Sequence, residues 1–257
     1  MENIEIKSFD HLLKILRKEE YQCGHVIFRG VTDRKNHKLI PSVGRLKEFQ
    51  HEPLSELVRH ERELLSLYRH KTYGELRKIP HNDWVWLALG QHHSLPTRLL
   101  DWTYSPLVAA FFATEPKIKY DGTLLPLNPS GGAIYLLHDC NYLDAYTTTL
   151  DPFETDDYKI VYTPVITNRI AGQGGLFTIH KDPREEFDIG FEGKRKGKGK
   201  TNPRWIHKLE FSQEVGKEIQ RTLHFLGIRE GSIYPDIDGF GLDTKIRFAI
   251  GDCHTMY

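Results

Sequence analysis

Gln91, His92, His93, Thr97, Arg98, Asp101, Trp102 and Thr103 lie within residues 84–114, between two apolar helical stretches. Polar groups so placed must hydrogen-bond one another or point at a ligand, because a buried polar atom without a partner is costly. Arg29 stands at the end of a second apolar run, Val26-Ile27-Phe28, and Gly30 follows it. A guanidinium there either pairs with a buried carboxylate or offers its fork to an anionic ligand. Gly30 permits close approach of a backbone or a ligand. A third stretch, 168–175, sets Gln173 among glycines that allow unusual backbone angles.

Other chemistries fit these residue types less well. Neighbouring positions on a helix diverge by about 100 degrees, so His92 and His93 cannot readily face one ion. With no spaced ligand set elsewhere, no metal is expected. Ser94, His92 and Asp101 supply the residue types of a hydrolase triad, but no serine sits in a glycine-flanked nucleophile elbow. Neither a phosphate-binding P-loop nor a dinucleotide glycine fingerprint occurs.

The elements that must position these groups can be read from spacing. Trp84, Leu87, Ala88 and Gln91 recur at helical intervals, predicting a helix over 82–94 whose apolar stripe ends in a polar tip. Ser94-Leu95-Pro96 is expected to end it, because the residue before a proline leaves the α region. Ser105-Pro106 opens a second helix, 105–114, with serine as N-cap and proline in the first turn. Helices are also expected at 9–18, burying Leu12, Leu13, Ile15 and Leu16, and at 53–68. On the latter, Glu61 and Glu63 sit among basic residues and read as a solvated, salt-bridged surface.

Strands are expected at 25–30, 132–138, 158–162, 176–180 and 205–211, with a short extended segment at 97–103. Residues 39–45 and 121–132 read as loops, and 141–150 as either helix or loop. Ser212 caps a helix to about position 226, and 232–239 closes the folded unit as a turn with an acidic pair, Asp236 and Asp238. Lys194-Arg195-Lys196-Gly197-Lys198-Gly199-Lys200 reads as a mobile hairpin tip or as a finger contacting nucleic-acid phosphates.

At 257 residues the chain can bury a substantial core. Lys+Arg and Asp+Glu are 35 each, so net charge gives no support for binding nucleic acid or an anionic membrane. Cys23, Cys140 and Cys253 make no paired spacing, as in a reducing compartment. No apolar run is long enough to span a bilayer and the first ten residues are too polar for a secretory signal. The expectation is a cytoplasmic protein without membrane contact.

Phe28-Arg29-Gly30 resembles the triplet for which the FRG domain family is named. The resemblance continues through Pro41-Ser42 with Arg45, the helix around Glu61, and Gln91-His92-His93. It then takes in Leu95 to Thr103, Pro106-Leu107, Ala109, Phe112-Ala113, Gln173, Gly175, Phe177 and Tyr234 to Gly239. It divides the chain into a helical lead-in at 1–24, an FRG-like domain at 25–245 and a tail at 246–257.

The order of elements is also similar to that of the ADP-ribosyltransferases of the Arg-Ser-Glu class. That resemblance implies an α+β fold: a single mixed domain of small, bent, mainly antiparallel sheets flanked by helices. It implies that Arg29 grips the phosphates and ribose of NAD, used as substrate, and that the Gly30 backbone clamps the nicotinamide amide. Asp101, Trp102 and Thr103 stand where the class has its Ser-Thr-Ser motif, with Gln91, His92 and Arg98 around the same pocket. Gln173 falls where the class carries its catalytic glutamate, and an amide cannot offset developing positive charge as a carboxylate does. Glu192, Glu210, Glu230 or Asp236 could fill that role instead.

The acceptor would be a protein or a nucleic acid, the setting a toxin or phage-defence effector, and an inhibitory partner protein could silence it. Two other readings stay open. One is a non-enzymatic module binding a nucleotide or a partner. The other is a structural network in which Arg98 pairs with Asp101 and Arg29 with Glu61.

Overall fold

The computed structural model describes residues 2–22, 24–165, 167–187, 193–197 and 200–251, with backbone alone for 193–197 and 200–203. The chain begins with β1 (Glu2–Ile6), α1 (Phe9–Leu16) and β2 (Val26–Val31). Next come α2 (Leu54–Thr72), α3 (Asp83–His92), β3 (Leu99–Thr103) and α4 (Pro106–Ala113). A small hairpin, β4 (Lys117–Ile118) and β5 (Leu124–Leu125), leads into β6 (Ala133–His138), β7 (Tyr142–Asp144) and β8 (Lys159–Tyr162). The remainder is α5 (Asn168–Gln173), β9 (Gly175–Ile179), β10 (Gly193–Gly197), β11 (Lys200–Phe211), α6 (Gln213–Phe225), α7 (Glu230–Ile233) and α8 (Ile237–Ala249).

The main sheet runs β1-β11-β6-β2-β3-β9-β8-β7, with β10 paired to β11. The β1–β11 and β7–β8 pairings are parallel and the others antiparallel, so the fold is α+β with a mixed, mostly antiparallel, open sheet flanked by helices. β6 is buried along its whole length, which is why its sequence up to His138 is a run of apolar and aromatic residues rather than an alternation. In β2 the period of two sorts side chains to the two faces. Val26 and Phe28 join the cluster under α1, α4 and α6, and Ile27 and Val31 join the one with Leu100, Trp102 and Leu137. A third cluster packs α2 and α3 on β3 and β9 through Leu65, Trp84, Leu99 and Ile179.

Two features of this packing shape the site. First, α4 lies directly against β2: a Cβ at Gly30 would stand 1.9 Å from the Ala109 carbonyl oxygen. Gly30 is therefore required by helix packing, whatever else approaches it. Second, β2 pairs with β6 over six residues and β3 with β9 over five, while β2 and β3 share only Phe28↔Thr103 among the described residues. The sheet is two halves joined at one bridge, and beyond the bridge it opens.

Several elements differ from expectation. Residues 142–144 form strand β7, where the sequence left helix and loop undecided. Residues 168–173 form α5, capped by Thr167 and closed by left-handed Gly174, where only a glycine-rich loop was read. Residues 237–249 form α8, so the proposed tail boundary at 246 falls inside a helix. The lead-in contributes β1 to the sheet as well as α1. The basic run at 194–200 begins on β10 and ends at the start of β11, with 198 and 199 outside the described residues. No helix among the described residues is long and apolar enough to cross a membrane.

Candidate functional site

The polar groups on and around β3 hydrogen-bond in a defined order. Ser42 Oγ accepts from the Thr97 backbone N–H at 3.0 Å, and Thr97 Oγ1 donates to Gln91 Oε1 at 2.7 Å. Gln91 Nε2 donates to Asp101 Oδ2 at 2.9 Å. Arg29 completes the line: its Nη1 donates to the Asp101 carbonyl at 2.6 Å and lies 3.8 Å from the Asp101 carboxylate. Thr103 Oγ1 donates to the Gln173 carbonyl at 2.6 Å, tying β3 to the end of α5. One connected network thus runs from Ser42 to Arg29.

Gln91 reaches this network because α3 stops beside it. Helix α3 closes with paired backbone bonds, Ser94 N to Gln91 O at 3.2 Å and Leu95 N to Gly90 O at 2.8 Å. Ser94 takes the left-handed conformation, φ 66°, that glycine usually supplies at this position. The stop is therefore made by the helix's own C-terminal closure, ahead of the Leu95-Pro96 step that the sequence suggested.

The pairing of the charged groups corrects the expected network. Arg98 does not meet Asp101, and Arg29 does not meet Glu61. Arg98 is fully buried and grips Glu61 with both arms of its fork, Nε to Oε1 at 3.0 Å and Nη2 to Oε2. Glu61 is 3% exposed, so the solvated reading of that face is wrong at this position. Arg98 accordingly does not line the site; it fixes α2 to the start of β3. The Trp102 ring is also core, donating from Nε1 to Thr178 Oγ1 at 3.0 Å.

Where β2 and β3 part there is a cavity of about 350 Å³. Arg29, Arg45, Lys38 and Lys117 face it together with His37, Asp101, Glu115, Gln173 and Tyr234. Arg29 is its most informative group. Burial lowers the guanidinium pKa, Asp101 opposing and Arg45 reinforcing the shift, and its Nε is buried without a hydrogen-bond partner. His37 is lowered as well, first by burial and then by Arg29, with Arg45 and Lys117 adding to it and Asp33 opposing. The cavity is positive, with more cationic than anionic side chains on its wall. A smaller cavity of about 150 Å³ shares Asp101, Trp102, Gln173 and Tyr234 with it and extends to Gln91, His92 and Arg169.

Residues 24–122 match the family model of the FRG domain. This segment is an FRG domain. No curated protein and no solved structure matches the chain. The FRG domain supplies Arg29, Gln91, Asp101 and Thr103, and hence the connected network. Gln173, Arg169 and Tyr234 close the site from the chain that follows it.

None of the acids named from the sequence faces the larger cavity among the described residues. Glu210 pairs with Lys208 at 2.6 Å. Glu230 is 1% exposed beside a separate small cavity, with Oε1 unpartnered; burial, with Asp243 and Glu115 adding, pushes it up to about 7. Asp236 accepts from Arg169 and caps α8 through the Gly239 N–H, which together hold it at about 2. Glu192 lies outside the described residues. The carboxylate on the cavity wall besides Asp101 is Glu115, whose Oε1 accepts from the Tyr234 hydroxyl at 2.5 Å. Burial, and then Glu115, push the Tyr234 phenol far up, so it remains a donor.

Sequence reading missed Glu115 and gave no role to Arg45 or Tyr234. Glu115 sits in Thr114-Glu115-Pro116, just past α4, with no periodicity or motif to mark it. Only the opening between β2 and β3 brings it to the site.

Proposed function

We propose that the cavity between β2 and β3 binds a phosphate-bearing nucleotide, that this nucleotide is NAD, and that the protein transfers its ADP-ribose to an acceptor. The observation that carries the reading is Arg29. A desolvated guanidinium keeps its charge, and that of Arg29 lies on the cavity wall 3.8 Å from the Asp101 carboxylate, which offsets it only in part, so an anion in the cavity gains a charge-assisted partner. Arg45, Lys38 and Lys117 make the same wall suit phosphate rather than a neutral ligand.

In the reaction, the bond between C1′ of the nicotinamide-side ribose and the ring nitrogen breaks, and its electron pair leaves with nicotinamide. The acceptor forms the new bond to C1′ and gives up a proton. Glu115 is the carboxylate suited to offset the positive charge developing at C1′, held in place by Tyr234. Gln173 can hydrogen-bond a ribose hydroxyl.

A non-enzymatic nucleotide-binding module is the second reading, favoured by the amide at position 173. Calorimetry of the full chain with NAD, ADP-ribose and ADP, alongside nicotinamide release, separates the two. Saturable binding is expected, weakened about 10- to 100-fold by Arg29→Ala, the equivalent of a charge-assisted hydrogen bond. Binding without nicotinamide release supports the module. No binding by any of the three, or equal binding by the variant, removes both.

A further inference from the structure

The smaller cavity shares the wall residues Asp101, Trp102, Gln173 and Tyr234 with the larger one, so the two lie side by side. At about 150 Å³ it has room for the reacting end of an acceptor rather than for a second nucleotide. Most of its polar wall is already engaged. Arg169 is held by the Asp236 carboxylate, and Gln91 by Asp101 and Thr97. His92 differs: it is half-buried, its ring meets His93 edge to face at 4.7 Å, and no described residue hydrogen-bonds its ring nitrogens.

We propose that this smaller cavity is the acceptor subsite, that it takes a hydroxyl-bearing acceptor, and that His92 receives the acceptor's proton. The inference rests on the transferase reading of the larger cavity. The acceptor oxygen bonds to C1′, the C1′–nitrogen bond breaks with its electron pair going to nicotinamide, and the hydroxyl proton passes to an imidazole nitrogen of His92.

The charges around the subsite select the acceptor class. A lysine or arginine acceptor would need an uncompensated carboxylate, but Asp236 is paired with Arg169, and Asp101 with Gln91 and Arg29. A carboxylate acceptor carries no proton to remove at neutral pH. A hydroxyl is neutral and needs a base. Burial, then His93 and Arg169, lower the His92 pKa to about 4, with Asp236 and Asp101 opposing, so the imidazole is uncharged at neutral pH; it is a weak base, and takes the proton only as the acceptor oxygen turns strongly acidic on bonding to C1′.

Methanol serves as the simplest hydroxyl acceptor. The full chain is incubated with NAD and methanol, and nicotinamide, ADP-ribose and its O-methyl product are quantified for wild type, His92→Gln and His92→Ala. The expected result is an O-methyl product in wild type, falling about 100-fold in both variants and restored in His92→Ala by added imidazole. Rescue by imidazole is a response that a merely structural role would not give. Nicotinamide release with an undiminished O-methyl product in His92→Gln overturns the subsite and leaves the transferase reading standing. An ester formed with acetate in place of the methyl product overturns the hydroxyl class. No nicotinamide release by wild type removes the transferase reading, and the subsite with it.

Discussion

Replacing Glu61 with glutamine leaves the Arg98 guanidinium fully buried without its counter-charge. The other hydrogen bonds of Arg98 are long, Nη1 to the Pro152 and Phe153 carbonyls at 3.4 and 3.5 Å, and with the Phe153 ring they cannot replace two charge-assisted hydrogen bonds. Breaking a buried pair by removing one partner costs about 3–5 kcal/mol, because the remaining charge stays desolvated. For a chain of this length each kcal/mol moves the midpoint by about 2–4 °C, so Glu61→Gln should melt about 6–20 °C lower. Glu61→Leu with Arg98→Met removes both charges and should recover most of the loss. Urea unfolding with an unchanged m-value, together with a double-mutant cycle, is the assay. A Glu61→Gln cost below about 1 kcal/mol, or coupling of Glu61 to Arg29 rather than to Arg98, would refute the reasoning.

Three further outcomes follow from local geometry. Gly30→Ala places a methyl 1.9 Å from the Ala109 carbonyl oxygen, so α4 must shift; a loss of about 3 kcal/mol or more, or failure to accumulate folded protein, is expected by circular dichroism. Ser94→Gly relieves a non-glycine residue at φ 66° and should raise stability by about 1 kcal/mol in urea titration. Glu230, at about 7 when folded and near 4.5 when unfolded, binds more protons in the native state between those values. Stability from this residue is therefore present at low pH and falls as pH rises through about 4.5 to 7. Glu230→Gln should abolish that fall and gain up to about 3 kcal/mol at pH 8; a parallel pH–stability curve in the variant would count against the assignment.

The sequence located most of the elements and the residues of the network, but not who pairs with whom. Arg98 and Asp101 looked like partners because they are three apart in one chain segment. On an extended segment an odd separation turns side chains to opposite faces, so the two cannot meet. The proper partner of Arg98 was also marked: Leu57, Glu61 and Leu65 recur every four residues and are all buried, which puts Glu61 inside an apolar stripe. Basic neighbours on the other faces of α2 concealed this. At α5 the glycines point to unusual backbone angles and at the start of α8 the sequence reads as a turn with an acidic pair, while the signals that decide are the caps, Thr167 and Gly174 for one and Asp236 for the other. Glu115 had no local signal, since its position depends on a strand separation fixed by pairings far along the chain.

The two arginines show how one fold assigns similar side chains to opposite tasks. Arg98 is closed: both arms are spent on Glu61, and its removal should be felt as lost stability. Arg29 lines the cavity; its Nη1 is held by the Asp101 carbonyl and lies near the Asp101 carboxylate, while its Nε is buried and unpaired. Arg69 Nε is likewise buried and unpaired away from the site, so what makes Arg29 the group to test for a ligand is its place on the cavity wall with Lys38, Arg45 and Lys117. Stability and affinity measured on the same pair of variants separate these tasks. Arg98→Met should lose stability first, with any loss of binding following from misplacement of β3. Arg29→Ala should lose nucleotide affinity, with a stability loss limited to about 1.5–3 kcal/mol for its one charge-assisted hydrogen bond to the Asp101 carbonyl.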